Sequence, residues 1–201
     1  MTTTRDLGLR CECGRVRGVL RGVAPSTTNR AVCYCHDCRA FAHWLDREAL
    51  LDGRGGADIV QLARARVEIT EGRDQLRCMR LTDRGMHRWY AGCCRFPLAN
   101  TIPVAPFAGV PRHAIEVEMG DLEATFGPIL YTNLDAAVGG RPPGASMSLR
   151  RLAHVSALLA GWLMRGLGQP TPFFDASNRP SVEPQILSAA ERDALRAHPR
   201  A

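Results

Sequence analysis

Apolar and polar positions alternate over about the first 120 residues, and Gly, Pro, Asn or Asp cut the alternation every few residues. That is the pattern of short strands joined by turns. Residues 15–23 are rich in Val and interrupted by Gly18 and Gly22, which predicts a strand, and residues 25–29 read as a loop. Residues 31–35 predict the next strand, which ends at His36-Asp37, with residues 38–45 as a short helix. A Gly-rich connection at 52–56 leads back to a strand at 59–62. Val67 and Ile69 alternate with polar neighbours, residues 71–74 turn, and residues 76–81 run back, which predicts a hairpin. After the segment 87–94 comes a loop through Pro97, Pro103, Pro106 and Pro111, and alternation resumes with Ile115, Val117 and Met119 on one side.

Near residue 146 the period changes. Ser148 can cap a helix in which Leu149, Leu152, Val155, Leu159 and Trp162 form a stripe, with Arg150, His154 and Arg165 opposite and Gly166, Gly168 and Pro170 ending it. Ser188 and Glu191 stand in capping-box spacing before a second short helix, and the Pro-rich stretch 170–184 is expected to lie extended on the surface. The stripe predicts packing on the preceding domain or on a second copy of the chain, as in a homodimer. The longest apolar run, 155–164, is half of the ~20 residues that a bilayer demands, and MTTTRDLGLR lacks the apolar core of a signal peptide. A cytoplasmic protein without membrane contact is expected.

Composition sharpens this picture. All 26 basic residues are Arg and none is Lys, so a P-loop lysine, a Schiff-base lysine and a pyridoxal-phosphate anchor are excluded. The net charge of +6 lies in residues 1–100, and so do all eight Cys. The Arg excess is modest and not interleaved with aromatic residues, so nucleic acid is not an expected partner. In a reducing compartment, closely spaced Cys are metal ligands more often than disulfides.

Two constellations carry chemistry. In Cys33-Tyr34-Cys35-His36-Asp37-Cys38, residues two apart on a strand share a face, and the turn at His36-Asp37 brings Cys38 round as a third ligand. Three thiolates leave one tetrahedral position for water or a substrate sulfur, the arrangement of a catalytic zinc. The alternatives are a closed site completed by His36 or a distant residue, and a redox pair Cys35-x-x-Cys38. The second constellation is Cys11-Glu12-Cys13-Gly14 with Cys94, and with Cys93 if the backbone allows, as a site that stabilises the fold. Neighbours on a strand point to opposite faces, so Cys93 and Cys94 chelate one ion only with difficulty there. Cys78 reads as an ordinary buried thiol.

Cys-x-Cys-Gly-x-Val-x-Gly, then Cys-x-Cys-x-x-Cys-Arg, then an aromatic-led Cys segment resembles the glutathione-dependent formaldehyde-activating enzyme family, which includes centromere protein V. The resemblance covers about residues 9–131, with residues 140–201 as a C-terminal helix and tail. It implies a mainly β, coiled "β-tent" zinc domain with two Zn2+ ions. Cys11, Cys13 and Cys94 match its structural ligands, and Cys33, Cys35 and Cys38 match its substrate-side ligands. The family's last motif is Phe-Cys-x-x-Cys-Gly, whereas here Tyr90-Ala91-Gly92-Cys93-Cys94-Arg95 puts Ala91 at the first cysteine and Arg95 at the glycine. Either Cys93 substitutes from a shifted backbone or the site keeps three ligands. The implied activity is a carbon-sulfur lyase that joins glutathione, or a similar thiol, to formaldehyde or another small electrophile. Arg39 is then the first candidate for a glutathione carboxylate, His36 for a proton shuttle, and Phe41 and Trp44 for pocket walls. A non-catalytic zinc module that binds a partner is the alternative.

Overall fold

The computed structural model describes residues 3–197. In it the Gly-punctuated stretch forms β2 (Arg17–Val23), paired antiparallel with β1 (Arg5–Arg10). Leu7, Leu9, Leu20 and Val23 all point inward and are buried, which fixes the register of this hairpin. On its other edge β2 takes β5 (Val67–Glu71), closing a three-stranded sheet.

The second sheet is larger and contains β3 (Asn29–Cys33), β4 (Ala57–Ala63), β6 (Leu76–Arg80), β7 (His87–Ala91), β8 (Phe96–Thr101), β9 (Phe107–Pro111), β10 (Ile129–Thr132) and β11 (Gln185–Ile186). Their spatial order is β10-β3-β4-β9-β8-β7-β6-β11, open at both ends. The outermost pairs are parallel and the inner ones antiparallel.

Three expectations fail here for physical reasons. The hairpin at 67–81 does not exist, because β5 pairs with β2 in one sheet and β6 with β7 in the other. Gly72 lies at φ +68°, a single 3-10 turn follows at Arg73–Gln75, and the chain turns a corner between sheets instead of folding back. The proline-marked loop contains the central strands β8 and β9. Every residue of β8 is buried, so its apolar run does not alternate, and Pro97 and Pro111 sit at ladder positions that tolerate a missing N–H. The alternation at 113–119 gives only a bridge from Ile115 to Leu9, and Met119 is exposed.

The helices are α1 (His36–Trp44), α2 (Leu122–Phe126), α3 (Leu149–Met164) and α4 (Ala189–Ala197). Ser148 caps α3 through a bond from the Arg151 amide, and Ser188 and Glu191 form the expected reciprocal box before α4. The stripe on α3 is rotated from the expected face. Trp162 is buried and Leu149 is 79% exposed, while His154 and Arg151 reach the domain through the Thr28 carbonyl and the Asn29 side chain. The stretch 170–184 is not a surface strap. Phe173 and Phe174 enter the main core against Trp89, with ring centroids 5.2 and 5.8 Å away.

Strand alternation in β7 sorts the two faces of the large sheet. His87, Trp89 and Ala91 face the core closed by Phe173 and Phe174. Arg88 and Tyr90 face the other way, toward Phe41 and Trp44 of α1. Helix α4 packs on α1 and ties to its first turn through Arg196 and Asp37, 2.5 Å apart. The chain is thus mostly β with an open sheet, a few helices and a C-terminal helix, and its cysteine clusters are consistent with a zinc domain. Among the described residues no helix is long and apolar enough to cross a membrane.

Candidate metal centres and an adjoining pocket

The strand-to-helix junction between β3 and α1 builds the first site. Cys33 ends the strand, and Cys35, still extended at φ −65° and ψ 149°, caps the helix by accepting a hydrogen bond from the Cys38 amide. Cys38 lies one helical turn further on, so the three sulfurs converge, all within 4.8 Å of one another and Cys35 and Cys38 only 3.2 Å apart. The helix N-terminus adds a positive potential that favours thiolate there. The Asn133 amide, held at φ +56°, donates to Cys33 Sγ at 3.3 Å. Hydrogen bonds from Cys35 and then Cys38 pull the Cys33 thiol far below its ordinary range. The same contacts with Cys33 push Cys35 and Cys38 up. A divalent ion bound there would take the place of the thiol protons.

The second site closes around the turn that follows β1. Cys11 is fully buried and Cys13 is exposed, and both face Cys93 and Cys94. Sulfur separations are 3.6 Å for Cys11 and Cys13, 3.3 Å for Cys13 and Cys93, and 3.9 Å for both Cys11 to Cys93 and Cys93 to Cys94. Metal–sulfur bonds of about 2.3 Å put the corners of a tetrahedron about 3.8 Å apart, so this donor set fits one ion. The objection to adjacent ligands lapses because residues 92–95 form a turn and not a strand. The amides of Cys94 and Arg95 both bond back to the Ala91 carbonyl, and Arg95 sits at φ +56°. Both thiols therefore swing to one side, which places Cys93 where it could supply the ligand that Ala91 lacks. Cys13 is lowered to about 7, first by the Arg15 amide and then by Cys93, while burial raises Cys93 and Cys94. Cys78 lies apart in β6, where burial raises it to about 12.

A family model described as a family of unknown function, DUF6151, matches residues 3–183. This chain belongs to the DUF6151 family. Among solved structures it is similar to a Rhodobacter sphaeroides protein determined as a structural genomics target. The two are 18% identical with a TM-score of 0.42, over 62% of this chain and 99% of that one. No curated protein matches.

Two polar residues that the sequence puts forward act differently in this DUF6151 chain. His36 is exposed and outside the thiol cluster, so it does not complete the first site. Arg39, the expected carboxylate ligand, is 6% exposed and already committed. Its Nη1 donates to the carbonyls of Tyr34 and Ala136 at 2.9 and 2.6 Å, and its Nη2 bonds His36 Nδ1 at 3.0 Å. It fastens the residue-136 loop to the junction, a structural task for which a five-donor fork is suited. Trp44 packs on Tyr90 and Arg95, whereas Phe41 does wall a pocket.

That pocket adjoins the first thiol cluster and is linked to the second through Arg47, which bonds the Cys94 carbonyl. It is small, about 40 Å³, and Cys38 forms part of its lining together with Phe41, Leu50, Ile59, Arg47 and Arg88. Sequence reasoning passed over Arg88 and Asn100, because Arg88 stood in a segment noted for its cysteines and Asn100 in the proline-marked loop. Only α1 lying across that face of the sheet makes them interior. Arg88 is 3% exposed and Asn100 7%.

Proposed function

We propose that this chain is a zinc-thiolate protein that joins a small thiol to formaldehyde or a similar electrophile, as its resemblance to the formaldehyde-activating enzymes implies. One observation carries the reading: Cys33, Cys35 and Cys38 converge beside a pocket, and no fourth His, Cys, Asp or Glu joins them among the described residues. Cys11, Cys13, Cys93 and Cys94 would hold the structural ion, and the three-thiol site would hold the other. A zinc ion bound there would lower the pKa of a substrate thiol or polarise an aldehyde oxygen.

The chain's own residues supply the rest. Asn133 and the start of α1 keep negative charge on the sulfurs. Phe41, Leu50 and Ile59 exclude water from one side of the reacting groups. In the addition a carbon–sulfur bond forms, the carbonyl π bond breaks, and the thiol proton ends on the new hydroxyl. His36 is the neighbouring group suited to move that proton, since Arg39 donates to its Nδ1 and leaves the ring hydrogen on Nε2.

Exchange NMR with both glutathione and formaldehyde present is the test. Faster S-hydroxymethylglutathione formation than the spontaneous rate is expected, with the excess lost in Cys35→Ala. A rate equal to the uncatalysed one refutes the assignment.

A further inference from the structure

Arg88 is a buried guanidinium with no counterion. Among the described residues no carboxylate comes within ion-pair distance of it, and its side-chain contacts are a long bond of 3.4 Å to Asn100 Oδ1 and the face of Phe41, 5.3 Å from the ring centroid. A buried charge without a partner is costly, and proteins keep one chiefly where a ligand supplies the opposite charge. The strand register sets Arg88 directly opposite Asn100, so the two side chains share a face, and both line the pocket that Cys38 borders.

The other charges around the pocket are already balanced. Asp58 bonds Arg30 at 2.7 and 3.0 Å and has Arg112 at 3.9 Å, while Arg47 pairs with Glu12 at 2.7 Å. Arg47 still has a buried Nε with no acceptor, a second donor on the pocket's wall. Of the arginines that line the pocket, Arg88 is therefore the one without a carboxylate partner among the described residues. A volume of about 40 Å³ compares with the ~10–15 Å³ that one water requires. It admits a carboxylate head group.

We propose that Arg88 and Asn100 form a carboxylate subsite, and that the natural thiol is a small thiol acid whose carboxylate sits on Arg88 while its sulfur reaches the Cys33, Cys35 and Cys38 centre. The sulfur half rests on the proposed function; the carboxylate half stands without it. Guanidinium binds a carboxylate through two parallel bonds, and the flanking amide and the Phe41 ring fix its plane.

The test is a titration of the metal-loaded full-length chain with acetate, with acetamide as the uncharged match and mercaptoacetate as the thiol acid, read by calorimetry and by the Arg88 Nε–H resonance. Acetate is expected to bind at least tenfold more tightly than acetamide, to shift that resonance, and to lose at least tenfold in affinity in Arg88→Met. Acetate that binds no better than acetamide, or equally well to Arg88→Met, overturns the subsite. Should Arg88→Met fail to fold, an Arg88 resonance that acetate leaves unmoved in the native chain overturns it too. Mercaptoacetate bound no more tightly than acetate overturns the sulfur half while the carboxylate subsite stands, so the two failures are distinguishable.

Discussion

Replacing Cys13 with Ala is the cleanest probe of the closed thiol site, because Cys13 is exposed and its loss opens no cavity in the core. The ion held there would cross-link the turn after β1 to the turn after β7, a span of 82 residues between Cys11 and Cys93. Treated as a loop-closure constraint on the unfolded chain, a link over that span stabilises by about 4.5 kcal/mol. A chain of this size loses roughly 2–4 °C of Tm per kcal/mol, so a fall of about 9–18 °C is expected, with metal content dropping from two ions per chain to one. The assay is thermal unfolding with metal analysis of the same sample, with Cys78→Ala as control. That variant costs core packing and leaves both ions in place. Chelation of the native protein should reproduce the loss without any mutation. A Tm within about 2 °C of the native value after complete chelation would refute the cross-link argument.

Two further outcomes follow from groups outside the metal ligands. Burial, with a smaller contribution from Arg80, lowers His87 to about 4, and its Nδ1 has no partner. The folded state holds it neutral while the unfolded chain protonates near 6.5, so this contribution is complete above pH 6.5. It is lost as pH falls toward 4, and amounts to at most about 3 kcal/mol. His87→Phe should flatten that part of the acid limb in denaturant titrations at successive pH values; an unchanged slope would contradict the buried neutral ring. Arg39→Met should cost about 2–4 kcal/mol by stripping a charged donor from the Tyr34 and Ala136 carbonyls, and should leave acetate affinity unchanged. Calorimetry that shows lost acetate binding in Arg39→Met would return Arg39 to the role the sequence suggests.

The sequence exposes local chemistry and conceals what distant segments do to it. Cys33, Cys35 and Cys38 were legible as one site because strand period and a single turn suffice to bring them together. The second site was legible only in part. Whether Cys93 and Cys94 share an ion depends on Arg95 at φ +56°, and an Arg gives no sign of a left-handed turn where a Gly would. The false hairpin at 67–81 has the same origin, since a turn signal says that the chain bends and not which sheet it enters. Phe173 and Phe174 looked like a surface strap because nothing near them predicts the opening over Trp89 that they fill.

Arg47 shows why the two thiol sites belong in one account. It follows α1 in the chain, pairs with Glu12 between Cys11 and Cys13, and donates through Nη2 to the Cys94 carbonyl at 2.6 Å. It also stands on the wall of the pocket that Cys38 borders. The closed site thus holds both partners of Arg47, and through it one side of the pocket. Charge-assisted bonds are shorter and stronger than neutral ones, so the pair orients the guanidinium. If the closed site came apart, Arg47 would lose the carbonyl and the carboxylate that orient it, and the pocket would lose a wall before any ligand of the open site had moved. The two candidate metal sites are therefore coupled by position. Seven of the eight cysteines thus fall into two clusters that Arg47 links, one through its partners and the other through the pocket that Cys38 borders.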